Sequence, residues 1–133
     1  MQAGGVPVAM NDAKRPFVFV VDDDEGVRAS LKIALEPYCT GVEVFGSVQE
    51  FLLGYSPRAR SCLVLDQHLH NTTGLEFLRS TECRRLNLPV ILVTGASNKR
   101  VRDEAFIAGV TGFLEKPWRM LELLAMVYAA SAS

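Results

Sequence analysis

The feature that most constrains this chain is a set of short apolar runs with no polar alternation. Phe17–Val21, Cys62–Leu65 and Val90–Val93 are apolar at every position. Gly112–Leu114 is a shorter run of the same kind, and Val42–Phe45 is broken only by Glu43. A strand covered on one face alternates apolar with polar residues. A run without alternation is a strand covered on both faces, as in a parallel sheet sheathed by helices.

The segments between these runs carry helical spacing. Val27, Leu31, Ala34 and Leu35 repeat every three to four residues, and Pro37 stops that helix. Ser47–Glu50 reads as a capping box in front of Phe51 and Leu52. Leu75, Leu78 and Glu82 continue a third helix after Gly74. Ser97 is placed to cap a fourth, running through Val101, Ala105 and Ala108 and ended by Gly109. Leu121, Leu124, Val127 and Tyr128 give the fifth. Strand and helix in strict succession, five times, predict an α/β fold with a doubly wound parallel sheet.

A length of 133 residues suits one domain. Met1–Arg15, with Gly4, Gly5 and Pro7, reads as a flexible leader, and the domain as residues 16–133. The 14 Lys and Arg against 15 Asp and Glu leave no generic electrostatic footprint for nucleic acid or an anionic membrane. No apolar run approaches the roughly 20 residues of a membrane span. No basic segment precedes an apolar one at the N-terminus, so a cytoplasmic location is expected. Cys39, Cys62 and Cys83 have no CxxC spacing, which reads as buried small hydrophobes in a reducing compartment.

Ligands of open α/β sheets bind beyond the carboxyl ends of the strands. The first run is followed by Asp22, Asp23, Asp24 and Glu25, the third by Asp66, the fourth by Thr94, and the fifth by Glu115, Lys116 and Pro117. The fold therefore gathers them at one edge. Carboxylates meeting there repel by several kcal/mol at about 4 Å and an effective dielectric near 20, unless protons or a hard dication relieve them. Oxygen ligands with room for water suit Mg²⁺ or Mn²⁺. A metal, a lysine and a hydroxyl around one carboxylate form an apparatus for phosphoryl transfer onto that carboxylate. Asp24 and Glu25 have a plainer role at the positive end of a helix dipole.

The motifs Val20–Asp23, Leu63–Asp66, Thr94-Gly95 and Glu115–Pro117, in this order and spacing, resemble those of the receiver domain of bacterial two-component response regulators. The resemblance covers roughly residues 17–128. It implies a flavodoxin-like sheet of strand order 2-1-3-4-5. It implies that Asp66 is the phospho-acceptor, served by a sensor histidine kinase or phosphotransfer protein. Asp23, Asp66, the backbone carbonyl of His68 and, largely through water, Asp22 would hold Mg²⁺. Lys116, before a cis bond to Pro117, and Thr94 would bind phosphoryl oxygens. Thr94 and Phe113 would carry a switch to the surface of the fourth helix, fifth strand and fifth helix, a partner or homodimer face bearing Lys99, Arg100, Phe106 and Trp118. Such receivers are often joined to a helix-turn-helix output domain that regulates transcription. The chain itself would be neither an enzyme nor a nucleic-acid binder. Where receivers often have Pro, four residues after the acceptor, this chain has His70, which reads as a loop residue, like His68; Ala96 is too small to position a water.

Three other functions share these parts. A haloacid-dehalogenase-type phosphatase needs a second Asp two residues after the nucleophile, where this chain has His68. A flavin mononucleotide binder needs a hydroxyl-rich loop after the first strand, where this chain has an acidic run. A pseudo-receiver would bind proteins without being phosphorylated, yet the acceptor residues are all present.

Overall fold

The computed structural model describes residues 14–95 and 99–132. The first thirteen residues of the expected leader, the expected Ser97 cap and Ala96 lie outside them. Five parallel strands, β1 (Phe17–Val21), β2 (Gly41–Phe45), β3 (Ser61–Asp66), β4 (Val90–Thr94) and β5 (Gly112–Glu115), form one sheet in the order β2-β1-β3-β4-β5. The helices are α1 (Glu25–Leu35), α2 (Val48–Gly54), α3 (Gly74–Arg79), α4 (Thr81–Leu86), α5 (Lys99–Ile107) and α6 (Met120–Ser131).

Alternate residues of each central strand enter different cores. Val18, Val20, Cys62, Val64, Ile91 and Val93 pack under Leu31 and Leu35 of α1 and Leu123, Leu124 and Val127 of α6. Phe17, Phe19, Val21, Leu63, Leu65 and Leu92 pack under Phe51 of α2, Leu75, Phe77 and Leu78 of α3, Cys83 of α4 and Ala105 of α5. This two-sided burial is why the strands read as unbroken apolar runs. All three cysteines are free and buried, and burial pushes the Cys39 thiol up to about 12. No helix among the described residues is long and apolar enough to cross a membrane.

Three local expectations are revised. The third helix is two: Ser80 is extended (ψ 155°), and its Oγ accepts from Cys83 N at 3.1 Å to start α4. A serine that caps the next turn competes with the helix it interrupts. The stop at Pro37 holds: α1 ends at Leu35, and Pro37 sits in the 3₁₀ turn Glu36–Tyr38 that follows. At α2, Ser47 Oγ accepts from Glu50 N, but Glu50 Oε1 accepts from Gly46 N rather than closing a full box. On α6, Leu121 is 59% exposed and Leu123 is fully buried, because the stripe that meets the sheet is Leu123, Leu124, Val127 and Ala130. The Gly109 expectation holds: its φ is +97°, and Val110 N reaches back to Ala105 O.

A capping box at Thr73 and Glu76 starts α3. Gly74, the first helical residue, donates its N–H to Gln67 O at 2.9 Å. A Cβ on Gly74 would lie 2.6 Å from Asp66 O and 2.5 Å from Leu92 Cδ1. Because one of those atoms is backbone, no rotamer change relieves the clash. Gly74→Ala is expected to lower unfolding free energy by about 1–3 kcal/mol in a denaturant titration. Gly95→Ala, whose Cβ would meet only Lys116 Cδ, at 4.0 Å, among the described residues, is expected to change it by less than about 1 kcal/mol.

Candidate functional site

The acidic run after β1 divides at the helix start. Asp24 is the N-cap of α1, its Oδ1 accepting from Val27 N at 3.1 Å, and Glu25 lies in the first turn. Asp22 and Asp23 turn toward the strand ends instead. Asp22 is held on its main chain by Phe45 O, which accepts from Asp22 N, and by Arg28 Nη1, which donates to Asp22 O at 2.7 Å. Its carboxylate accepts from Asp24 N at 2.9 Å.

Asp66 closes β3. The next residue, Gln67, donates its N–H to Val93 O, and its side-chain Oε1 accepts from Leu75 N at 2.9 Å. The loop after the strand is thereby pinned to both β4 and α3. Asp22, Asp23 and Asp66 each bring a carboxylate oxygen to within 4.8 Å of the others. The expected convergence of these three carboxylates is thus present.

From the other side come Lys116 and Thr94. Lys116 N donates to Thr94 O at 2.8 Å, tying the ends of β4 and β5 together. Lys116 Nζ stands 3.8 Å from Asp66 Oδ1, close enough to attract but too far to hydrogen-bond. The Lys116–Pro117 peptide is cis. Thr94 is 2% exposed. His68 bridges back to Thr73 across the loop. Phe113 is half-buried on β5, its ring 6.5 Å from that of Phe106 on α5.

Burial, then the negative charge of Asp22, push the Asp66 carboxyl up to about 6, against the opposing pull of Lys116 and of a hydrogen bond from the His68 backbone. Burial also raises Asp22, partly offset by the Asp24 N–H and Lys116. Asp66 is 6% exposed, and its Oδ1 has no hydrogen-bond partner among the described residues. An oxygen-only donor set with one buried, uncommitted oxygen and a partly open Asp23 fits a hard dication such as Mg²⁺ or Mn²⁺.

Sequence reasoning missed two contributors. Arg28 clamps Asp22 through its carbonyl, a contact with no sequence signature. His70, read as a plain loop residue, brings Nε2 to 3.1 Å from Asp23 Oδ2. One placement is corrected. Trp118 does not stand on the face of α5, β5 and α6. It packs partly buried against the core under α1 and lines a groove with Val27, Leu31 and Met120. The cis turn at Pro117 lies between β5 and this groove. The exposed large apolar residues of α5 are Phe106 and Ile107.

The family model of the response regulator receiver domain matches residues 18–128. Nodulation protein W of Bradyrhizobium diazoefficiens is 40% identical over 119 residues, which are 88% of this chain and 52% of that protein. Transcriptional regulatory protein FixJ of Azorhizobium caulinodans is 35% identical over 113 residues, 85% of this chain and 54% of that protein. The chain thus spans about half the length of these curated relatives. The crystal structure of FixJ-N superposes with a TM-score of 0.78 at 31% identity, covering 92% of this chain and 95% of that one.

The raised Asp66 pKa makes stability depend on pH. In the unfolded chain Asp66 loses its proton near its ordinary value of 3.8, in the fold near 6. Between these the folded state holds more protons, so stability falls as pH rises, and the whole penalty is present above about 6. In chelator at pH 7.5, Asp66→Asn is expected to melt about 10 °C above wild type, the scale set by a penalty of roughly 3 kcal/mol. The difference should shrink toward zero as the pH is lowered to about 4. Millimolar Mg²⁺ should raise the wild-type Tm and raise that of Asp66→Asn less. A mutant that melts below wild type at pH 7.5 without metal would contradict the mutual repulsion of the three carboxylates.

Proposed function

The chain belongs to the response regulator receiver family, a family of signalling domains, and from that premise we propose that it takes a phosphoryl group from a phosphohistidine onto Asp66. The observation that carries this reading is Asp66 itself: buried at the end of β3, one oxygen uncommitted, two carboxylates beside it and Lys116 Nζ 3.8 Å away. No other carboxylate of the described residues combines these.

In the proposed step, an Asp66 carboxylate oxygen forms a bond to phosphorus as the phosphorus–nitrogen bond breaks, and the electron pair stays on the donor imidazole. Asp22, Asp23, Asp66 and the His68 carbonyl would hold Mg²⁺, which when bound neutralises charge on the phosphoryl oxygens. Lys116 is placed to attract a further phosphoryl oxygen, and Thr94 to donate to another. The carboxylate must be ionised to attack, and at pH 7 an Asp66 with a pKa of about 6 is mostly so.

The same reading gives the signal a route outward. Thr94 moves toward the added group, and Phe113 turns into the space it leaves, displacing Phe106. The equilibrium moves because the Thr94 bond exists in one state only. The face reached carries exposed Phe106 and Ile107 of α5, apolar residues suited to a second copy or a partner. The matched part is only 54% of FixJ and 52% of nodulation protein W. By likeness to them, control of an output domain that regulates transcription is the proposed consequence.

Two experiments test these steps. A small-molecule phosphodonor with Mg²⁺ should add one phosphoryl group to the wild type by intact mass and none to Asp66→Asn. A mutant that still gains the mass assigns the nucleophile elsewhere. Beryllofluoride should shift amide resonances along α5, β5 and α6, with Phe106 and Phe113 among them. Shifts confined to the loops around Asp66 would refute the long-range switch.

A further inference from the structure

Residues of α2, the β3–α3 loop, α3 and the start of α4 line a groove of about 550 Å³. Its floor is apolar. Val48, Leu52 and Leu69 are half-buried against the core there, and Phe77 is 4% exposed. Gln49 also lines the groove, and Leu53, one turn further along the same face of α2, is 90% exposed. The apolar surface therefore continues past the edge of the groove.

The rim is acidic. Exposed Glu50, Glu76 and Glu82 line it, and no lysine or arginine does so among the described residues. His70, the remaining titratable residue of the lining, stands with Nε2 3.1 Å from Asp23 Oδ2. Each glutamate has a local reason for its place, in the first turn of α2, α3 or α4. Glu50 Oε1 accepts from Gly46 N at 3.0 Å, and Glu76 Oε1 from Thr73 N at 3.0 Å. Such bonds favour the ionised carboxylate: the Thr73 N–H holds Glu76 below its ordinary pKa. The three helix starts add at most about half a positive charge each, against three full negative charges, so the rim is net negative.

Capping accounts for the glutamates one at a time, but not for the apolar floor left open between them. An apolar floor inside an acidic rim is complementary to a helix with apolar residues on one face and Lys or Arg along its borders. We propose that this groove is a docking site for a basic amphipathic helix of a partner protein. Neither α5 nor β5 contributes to it, so docking here is independent of the switch surface proposed above.

The test is titration of the full chain, followed by amide chemical shifts, with two synthetic helical peptides of about four turns. Both carry leucines along one face; one is bordered by lysines, the other by glutamates. The lysine peptide should shift Val48, Leu52, Leu69 and Phe77, and bind about tenfold tighter than the glutamate peptide. Glu82→Lys should weaken the lysine peptide by about threefold or more and tighten the glutamate peptide, an inversion that misfolding does not produce. Leu53→Ser, at an exposed position, should weaken both peptides alike. Equal affinity for the two peptides, shifts centred on Phe106 and Ile107, or no binding at about 1 mM would each overturn the proposal. Self-association of the wild type that Glu82→Lys abolishes would give the groove to a second copy and overturn its assignment to a partner.

Discussion

A parallel sheet sealed on both faces has no room for polar side chains except at its strand ends. Here Val18 and Val20 face one layer of helices, Phe19 and Val21 the other. The first residue of β1's continuation that escapes this sandwich is Asp22, and the last residue of β3 is Asp66. Both are still mostly buried, at 5% and 6% exposure. Their charges are thus half in the core and half out, which is what raises both pKa values. The site exists because the register of the sheet delivers carboxylates to the same edge that its packing keeps dry.

The main chain holds these carboxylates in place against their repulsion. Asp22 is fixed by Phe45 O, Asp24 N and Arg28, none of which neutralises it. Asp66 is followed by Gln67, whose backbone and side chain both bond across to neighbouring elements. Gly74 lets α3 approach until its first turn touches the Asp66 carbonyl. Lys116 supplies the positive charge, yet at 3.8 Å it stops short of closing the pair. A lysine in full contact would satisfy Asp66 and blunt it for the nucleophilic role proposed for it. One held back attracts an anion arriving between the two.

What the sequence disclosed and what it hid follow from the range of the interactions. Strand runs, their order and the gathering of Asp22, Asp23, Asp66, Thr94 and Lys116 were legible, because burial on both faces and strand-end placement are written in local pattern. The break at Ser80 was not, since a serine within an apolar period reads as a helical residue until its hydroxyl is seen to cap the next turn. Leu121 and Leu123 could not be ranked, as both sit near the apolar stripe and the sheet decides between them. Trp118 follows β5 directly in sequence yet packs beside α1, because the turn at Lys116–Pro117 redirects the chain between β5 and α6. His70 and Arg28 reach their partners across loops, and no spacing rule relates them to Asp23 or Asp22.

Thr94 and Lys116 are joined by more than their common edge. The bond from Lys116 N to Thr94 O makes the two strand ends one unit, so the charge that answers Asp66 and the hydroxyl proposed to follow it are carried on coupled backbone. On β4, Thr94 pairs with Glu115, and Leu92 pairs with Phe113. A shift at the strand ends therefore reaches Phe113 within two residues of the same ladder. Phe113 is half-buried and meets Phe106, which is 48% exposed. Close-packed cores repack between discrete arrangements rather than deform smoothly. A half-buried aromatic at the margin of the core, touching an exposed one, is where such a repacking meets least resistance and is most visible from outside.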